Sequence, residues 1–246
     1  MFGLFSKKAD PIPLWFKTDI HCHVLPGIDD GSPDTETSLK LIKGLNSLGI
    51  VRIIASPHVA AVEFPNTPET LGKAYAELQT ALKTNGIEIP VSHSAEYRID
   101  EELPEIINSD RVLPYPDKYV LIENQWLQEP WNLEEVIFSL QIKGYQPIFA
   151  HPERFPYYHT NKKRLVELHE KIPFQLNLLS LAGYYGKHIQ KFAEGLAEDG
   201  FCDFIGTDTH AQRHIDALRE YLSTKTATKH RDLTIRTIQN DKVFSA

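Results

Sequence analysis

The stretch QPIFAHPER (146–154) decides the reading of this chain. Its first half is short and apolar on both alternating faces, which suits a strand buried on both sides, as strands of parallel sheets are. Its second half turns abruptly into an imidazole, a carboxylate and a guanidinium. The same switch recurs along the chain, at the ends of FKTDIH (16–21), VRIIAS (51–56), IEIPVS (87–92), YVLIEN (119–124), PFQLNL (173–178) and CDFIGT (202–207). Segments with helical periodicity lie between these runs. Ser32-Pro33 offers an N-cap followed by proline at the first helical position, ahead of Leu39, Ile42, Leu45 and Leu48 near one face. Thr67-Pro68 repeats that signal ahead of Leu71, Ala74, Leu78 and Leu82, and Leu133 to Ile142 and Phe192 to Leu196 behave similarly. Strands alternating with helices predict an α/β fold with a parallel sheet, and the short doubly buried strands favour a closed barrel over an open, doubly wound sheet.

In such a barrel the chemistry gathers at the C-terminal ends of the strands, where the connecting loops converge. Strand one ends in His21 and His23, with Asp29 and Asp30 close behind. Strand two leads to His58, and the third to Glu96 and Arg98. Glu123 ends the fourth, His151, Glu153 and Arg154 the fifth, and Asp208 and His210 the seventh; the sixth offers Asn177. Each piece alone is weak. Eleven histidines in 246 residues make one His-x-His unremarkable, and an acid after a strand is often a helix cap. The repetition at equivalent positions carries the argument. Crowded carboxylates repel by on the order of 1 kcal/mol per pair even in a watery environment. Bound cations remove that conflict, so a metal cluster is predicted. Imidazole and carboxylate without thiol suit zinc, iron or manganese. Cys22, between two histidines, points to the opposite face and is expected to be a small buried hydrophobe.

Composition narrows the setting. The 246 residues carry 26 Lys plus Arg against 33 Asp plus Glu, a formal charge of −7 that argues against a nucleic-acid partner. No apolar run reaches the roughly 18 residues of a spanning helix. Two cysteines exclude a disulfide scaffold and favour a reducing, cytoplasmic compartment. The N-terminal stretch is not a secretory signal, because Lys7 and Lys8 follow its apolar residues. Phe2, Leu4 and Phe5 could meet a membrane surface or partner, but the simpler expectation is a tail, residues 1–15, packing on one domain spanning 1–246.

HCHVLPGIDDG, ASPH, EYR, AHPER and GTDTH, in that order, resemble the polymerase-and-histidinol-phosphatase superfamily, and within it the bacterial manganese-dependent protein-tyrosine phosphatases of capsular and exopolysaccharide synthesis. The resemblance implies a distorted (β/α)7 TIM-like barrel with three manganese ions, iron or zinc being alternatives. By similarity, His21, His23, Glu96 and Asp208 would hold one ion, and Glu96 would bridge to a second held by Glu123 and His151. Asp30, His58 and His210 would hold the third, with Asp29 outside the ligand set. Arg154 is the expected phosphate-gripping group, and Arg98 and Arg213 are further substrate-binding candidates. The reaction implied is attack on phosphotyrosine by a hydroxide bridging two ions. His210 is an alternative proton donor to the leaving oxygen, a role that its place among the ligands disfavours. The partner implied is a phosphotyrosine protein, a bacterial tyrosine autokinase.

Rival readings differ at named positions. A small-molecule phosphatase acting on histidinol phosphate or a similar ester would share the metal site. A metal-dependent amidohydrolase would resemble the first motif but carry lysine and histidine where this chain has Glu123 and Asn177. A cysteine phosphatase needs arginine six residues after its nucleophile, where Ile28 and Asp208 stand. Trp126, Trp131, Tyr157, Tyr158, Tyr184 and Tyr185 follow strands four to six and could flank an aromatic substrate, though most of them are expected to pack the loops.

Overall fold

The computed structural model describes residues 10–244. Its strands are β1 (Thr18–Asp19), β2 (Arg52–Ala55), β3 (His58–Val59), β4 (Val91–His93), β5 (Glu96–Arg98), β6 (Tyr119–Glu123), β7 (Gln146–Ala150), β8 (Phe174–Asn177) and β9 (Phe204–Gly206). Between and after them run α1 (Thr35–Ser47), α2 (Pro68–Thr84), α3 (Leu103–Asn108), α4 (Leu133–Ile142), α5 (Pro156–His159), α6 (Lys162–His169), α7 (Leu178–Leu181), α8 (Lys187–Glu198), α9 (Gln212–Tyr221), α10 (Lys225–Thr234) and α11 (Asn240–Phe244). All strand pairings are parallel. β1, β2 and β4 form one ladder, and β3, β5, β6, β7, β8 and β9 another. The two ladders are one sheet in effect. β2 and β3 are pieces of a single ribbon broken at Ser56-Pro57, and β4 and β5 of another broken at Ser94-Ala95. Proline has no N–H to give to a ladder. Pairing is carried across the break by Ser94 N–H to the Ala55 carbonyl (2.8 Å) and Glu96 N–H to the Pro57 carbonyl (2.9 Å).

The nine strands thus make seven ribbons, which correspond to the seven apolar runs, and the ring closes between the last and the first. A parallel bridge joins Cys22 and Thr209. Asp208 N–H donates to the His21 carbonyl (2.7 Å) and His23 N–H to the Thr209 carbonyl (3.0 Å). The fold is a distorted α/β barrel. Its seam is not a plain ladder along its length. Near the opposite end, the Asn240 amide donates to the Thr18 carbonyl (3.0 Å) and the Ile205 carbonyl (2.7 Å) and accepts from Ile205 N–H (3.0 Å). The Asp241 carboxylate beside it accepts from Lys17 N–H and Thr18 N–H, both at 2.8 Å.

Two local expectations shift. The helix predicted from Ser32-Pro33 begins at Thr35, because Asp34 takes the cap and accepts from Thr37 N–H at 2.7 Å. Ser32 is instead buried, its N–H donating to the His23 carbonyl. The strand predicted at 87–92 begins at Val91, past Pro90, and its ribbon reaches Arg98. α2 starts as read, with Thr67 and Thr70 capping reciprocally. Ile20, Ile54, Leu121, Ile148 and Phe204 pack together inside the barrel with Tyr115 and Phe244. Cys22 lies in the outer layer, buried among Leu41, Leu45 and Ile53. Of the tail expected over residues 1–15, only 10–15 are described: Ile12 N–H bonds the Leu222 carbonyl and Leu14 N–H the Leu48 carbonyl, and Leu14 is buried, as is Phe16 beyond it. Phe2, Leu4, Phe5, Lys7 and Lys8 lie outside the described residues. No described helix is long and apolar enough to cross a membrane.

Asn240→Ala strips partners from buried backbone groups on both sides of the seam. It is expected to cost about 2–4 kcal/mol. A urea-unfolding midpoint unchanged from wild type would contradict the role assigned to this side chain.

Candidate metal centre

Ribbon closure brings the nine candidate ligands to one end of the barrel. The Glu96 carboxylate sits in their midst. Its Oε2 is 3.2 Å from His21 Nε2, 3.5 Å from His23 Nε2 and 3.1 Å from His58 Nδ1, and its Oε1 is 3.0 Å from His151 Nε2. Glu123 lies beyond, with Oε1 3.6 Å from His151 Nε2 and Oε2 3.9 Å from His58 Nδ1. On the other side, Asp208 Oδ1 is 3.4 Å from His21 Nε2, His23 Nε2 and His210 Nδ1. Asp30 stands at the rim, its Oδ1 3.3 Å from His210 Nε2 and 3.6 Å from His58 Nε2.

Among the described residues, four groups of atoms lie close enough to share an ion. They are His21, His23 and Asp208; His21, Glu96 and His151; His58, Glu96 and Glu123; and His23, Asp30, His58 and His210. His23 joins the group at the rim, and His58 faces two groups at once, with Nδ1 toward Glu96 and Nε2 toward Asp30. The donor chemistry fits cations. His21 Nε2, His23 Nε2, His58 Nδ1 and Glu96 Oε2 are all buried and all lack a hydrogen-bond partner. Orphaned buried polar atoms of this kind are costly unless something binds them.

The surroundings hold these atoms facing inward. His21 Nδ1 engages Gln175 Oε1 at 2.7 Å and His23 Nδ1 engages Asp29 Oδ2 at 2.8 Å. Each contact fixes an imidazole with its other nitrogen bare. Asp29 also accepts from Gly31 N–H and His58 N–H, which ties the first loop to the second. Burial pushes the Glu96 carboxyl up, but His21 and His58 outweigh it and hold it well below the usual range. Burial and then the Glu96 charge push Glu123 the opposite way, against Arg98 and Arg154. Two neighbouring carboxylates forced apart in this manner mark a charge conflict in the protein alone.

The backbone is bent to serve the cluster. His151 (φ 32°) and Asp208 (φ 50°) both adopt left-handed conformations, which cost of order 1–3 kcal/mol for residues other than glycine. Gly206 is required because a Cβ there would come within 2.4 Å of the His21 Cβ, and Gly31 because one would reach 2.3 Å from the His23 carbonyl oxygen.

The cluster opens into a cleft of about 280 Å³ bordered by Arg98, Arg154 and Arg213. Arg154 donates to Asp208 Oδ2 at 2.7 Å, and its guanidinium carbon lies 4.7 Å from the Trp126 ring centre and 4.3 Å from that of Tyr185. Arg98 is held by Glu123 and Glu63, both at 3.2 Å, and Arg213 Nε donates to the Tyr184 hydroxyl at 3.2 Å. Of the six aromatic residues singled out, Trp126, Tyr184 and Tyr185 line the cleft. Tyr157 and Tyr158 pack the loops, and Trp131 is exposed away from it. Sequence reasoning passed over Gln175 and His214, and saw no role in Asn177, whose amide donates to Asp208 Oδ2 at 2.6 Å. Gln175 and Asn177 sit two apart in an apolar strand, and that alternation was the available signal.

Fold and cluster together define the class: an α/β-barrel enzyme with a histidine- and carboxylate-built centre at the strand tips. Residues 17–239 match the model of the family described as capsular polysaccharide synthesis, CpsB/CapC, and the chain belongs to that family. The tyrosine-protein phosphatase YwqE of Bacillus subtilis is 35% identical over 194 residues, covering 78% of this chain and 76% of that protein. The putative tyrosine-protein phosphatase CapC of Staphylococcus aureus is 28% identical over 195 residues, with 78% and 76% covered. A solved structure from work on YwqE of Bacillus subtilis and CpsB of Streptococcus pneumoniae, described as unique metal-dependent tyrosine phosphatases, superimposes with a TM-score of 0.75. Its identity is 31%, covering 90% of this chain and 95% of that one.

Ions bound only by the folded cluster stabilise the fold by about 2.7 kcal/mol per independent site at a hundred times the dissociation constant. Full chelation, verified by elemental analysis, is therefore expected to lower the melting temperature by roughly 5–10 °C per site lost. An unchanged melting temperature would count against cations as the partners of the orphaned atoms.

Proposed function

We propose that this protein is a metal-dependent protein-tyrosine phosphatase serving capsular or exopolysaccharide synthesis. The observation that carries the reading is the convergence of His21 Nε2, His23 Nε2, His58 Nδ1 and Glu96 Oε2, buried and unpartnered, in a centre that opens to a cleft lined by Arg154. Family membership and the activity named for the relatives support it. His21, His23, Glu96 and Asp208 are assigned to one ion, Glu96, Glu123 and His151 to a second, and Asp30, His58 and His210 to a third. Manganese is the metal proposed on the strength of the family resemblance; the donors, imidazole and carboxylate with no thiol, suit it as they suit iron and zinc. Bound divalent cations supply positive charge for the phosphoryl oxygens and lower the pKa of water toward neutrality.

The remaining steps belong to the chain's own groups. Arg154 grips the phosphate, a guanidinium being able to present two parallel N–H donors to it. Its bond to Asp208 sets the fork's direction and leaves other N–H groups free for substrate. Asn177 shares the same Asp208 oxygen and keeps the carboxylate's other oxygen toward the imidazoles. Arg98 and Arg213 add positive charge at the borders of the cleft. The leaving phenolate has a conjugate acid of pKa about 10, so it departs with less help from a proton than an alkoxide needs. His210, with Nδ1 on the Asp208 carbonyl and Nε2 facing Asp30, acts as a ligand and not as that proton's source. The substrate is a phosphotyrosine protein, a tyrosine autokinase in this proposal. A cytoplasmic setting is favoured by Cys22 and Cys202, both free and buried, with their thiols pushed well up by burial.

The deciding experiment is manganese-dependent phosphate release from a phosphotyrosyl peptide, run beside histidinol phosphate. Wild type should turn over the peptide faster and lose activity on chelation, and His151→Ala should lose roughly a hundredfold or more. Turnover of the alkyl ester alone would reassign the substrate, and silence on both with manganese, iron and zinc would overturn the phosphatase. Cys22→Ser should keep near-wild-type turnover; an inactive but folded variant would place the thiol in the chemistry and refute this mechanism.

A further inference from the structure

The segment 125–131, between Glu123 and α4, is strapped down at several points. The Gln125 amide donates to the Ile99 carbonyl (3.1 Å), and the Tyr157 hydroxyl donates to the Gln125 carbonyl (2.9 Å). Glu129 accepts from the Tyr158 hydroxyl (2.6 Å) and from Arg164, whose NH2 is 2.9 Å from Oε1. Tyr158 is buried and accepts in turn from the Asn124 amide (2.8 Å), next to Glu123. A segment tied to the end of β5, to α5 and to α6 in this way presents its side chains in fixed positions.

Trp126 is the side chain it presents to the cleft. Its ring lies nearly parallel to the His151 imidazole (interplanar angle 8°, centroids 6.0 Å apart), with the Arg154 guanidinium carbon 4.7 Å from its centre. The residue is nonetheless 40% exposed, more than packing against His151 and Phe155 requires. One indole therefore touches a candidate metal ligand and the phosphate-gripping arginine, and still offers surface to the cleft. A group esterified to a phosphate on Arg154 would lie in the cleft that this surface lines. A flat aromatic ring can lie along an indole, whereas a flexible alkyl chain covers less of it and loses more rotamer freedom.

We propose that Trp126, held in place by Glu129, is the residue that selects aryl over alkyl phosphate esters in this cleft. The inference rests on the phosphatase reading and deepens it, by naming the wall that recognises the phenol ring. Trp126 is a specificity residue here, and Glu129 a positioning residue acting through it.

The test uses the full chain with manganese and two readouts. The first is the ratio of kcat/KM for phenyl phosphate to that for an alkyl phosphate monoester. The second is the ratio of dissociation constants for phenylphosphonate and butylphosphonate, which are not hydrolysed. Trp126→Leu should lower both aryl-to-alkyl preferences about tenfold, Trp126→Phe should keep most of each, and Glu129→Gln should shift them in the direction of Trp126→Leu. Thermal melts confirm that each variant is folded. Preferences that stay within twofold of wild type in folded Trp126→Leu overturn the proposal, because the indole then only supports Arg154 and His151. A wild type that hydrolyses neither ester removes the phosphatase reading by itself. In that event the phosphonate preference and its loss in Trp126→Leu still support the aryl wall, and a wild type without preference refutes it.

Discussion

Glu96 is buried at the start of β5 with one oxygen 3.0 Å from His151 and the other within 3.1–3.5 Å of His21, His23 and His58. Four candidate imidazoles thus converge on one carboxylate. A carboxylate in that position has lost its water and gained four imidazoles, which the chain alone can reconcile only through protons. The rest of the strand-tip architecture sets the terms of that contact. The ribbon break at Ser94-Ala95 places Glu96 beside His58, in register across β3 and β5. Gln175 and Asp29 turn two of the imidazoles to face it.

Holding such a cluster costs conformational energy, and the cost is local. His151 and Asp208 are strained, and both sit where a strand hands over to its loop. Their strain is held by bonds on either side: His151 N–H to the Gln175 carbonyl at 2.7 Å, and Asp208 N–H to the His21 carbonyl at 2.7 Å. Those two bonds belong to neighbouring ribbons of the barrel. The ladder that makes the fold therefore also fixes the angle at which two candidate ligands leave it.

Much of this was legible in the sequence. Parallel strands buried on both sides are written as short apolar runs, and their tips are marked because solvated polar groups begin there. That rule brings forward the histidines and acids from His21 to His210, and the choice among them, Asp30 over Asp29 included, came from the family resemblance. What escaped was set by contacts remote in sequence. Gln175 and Asn177 look like ordinary polar residues in a strand until His21 and Asp208 arrive opposite them. Ser32 looks like a cap until His23 claims its N–H for a loop bond, which leaves the helix to Asp34. The segment after 222 carries no motif, and only the closed ring reveals that Asn240 fills a seam.

That seam has a bearing on how the chain reaches its native state. Asn240 bonds Thr18 at a sequence separation of 222, and the mouth-side bonds join His21 and His23 to Asp208 and Thr209. Contacts so distant along the chain are reached slowly, because long loops must close before they are rewarded. One edge of the first ribbon has no partner until the ribbon of Asp208 and Thr209 reaches it. His21 and His23 lie near one end of the matched segment and Asp208 near the other, so the complete ligand set exists only once the first and last ribbons have met. Assembly of the centre is therefore tied to the last step of barrel closure, because its two halves come from ribbons far apart in sequence.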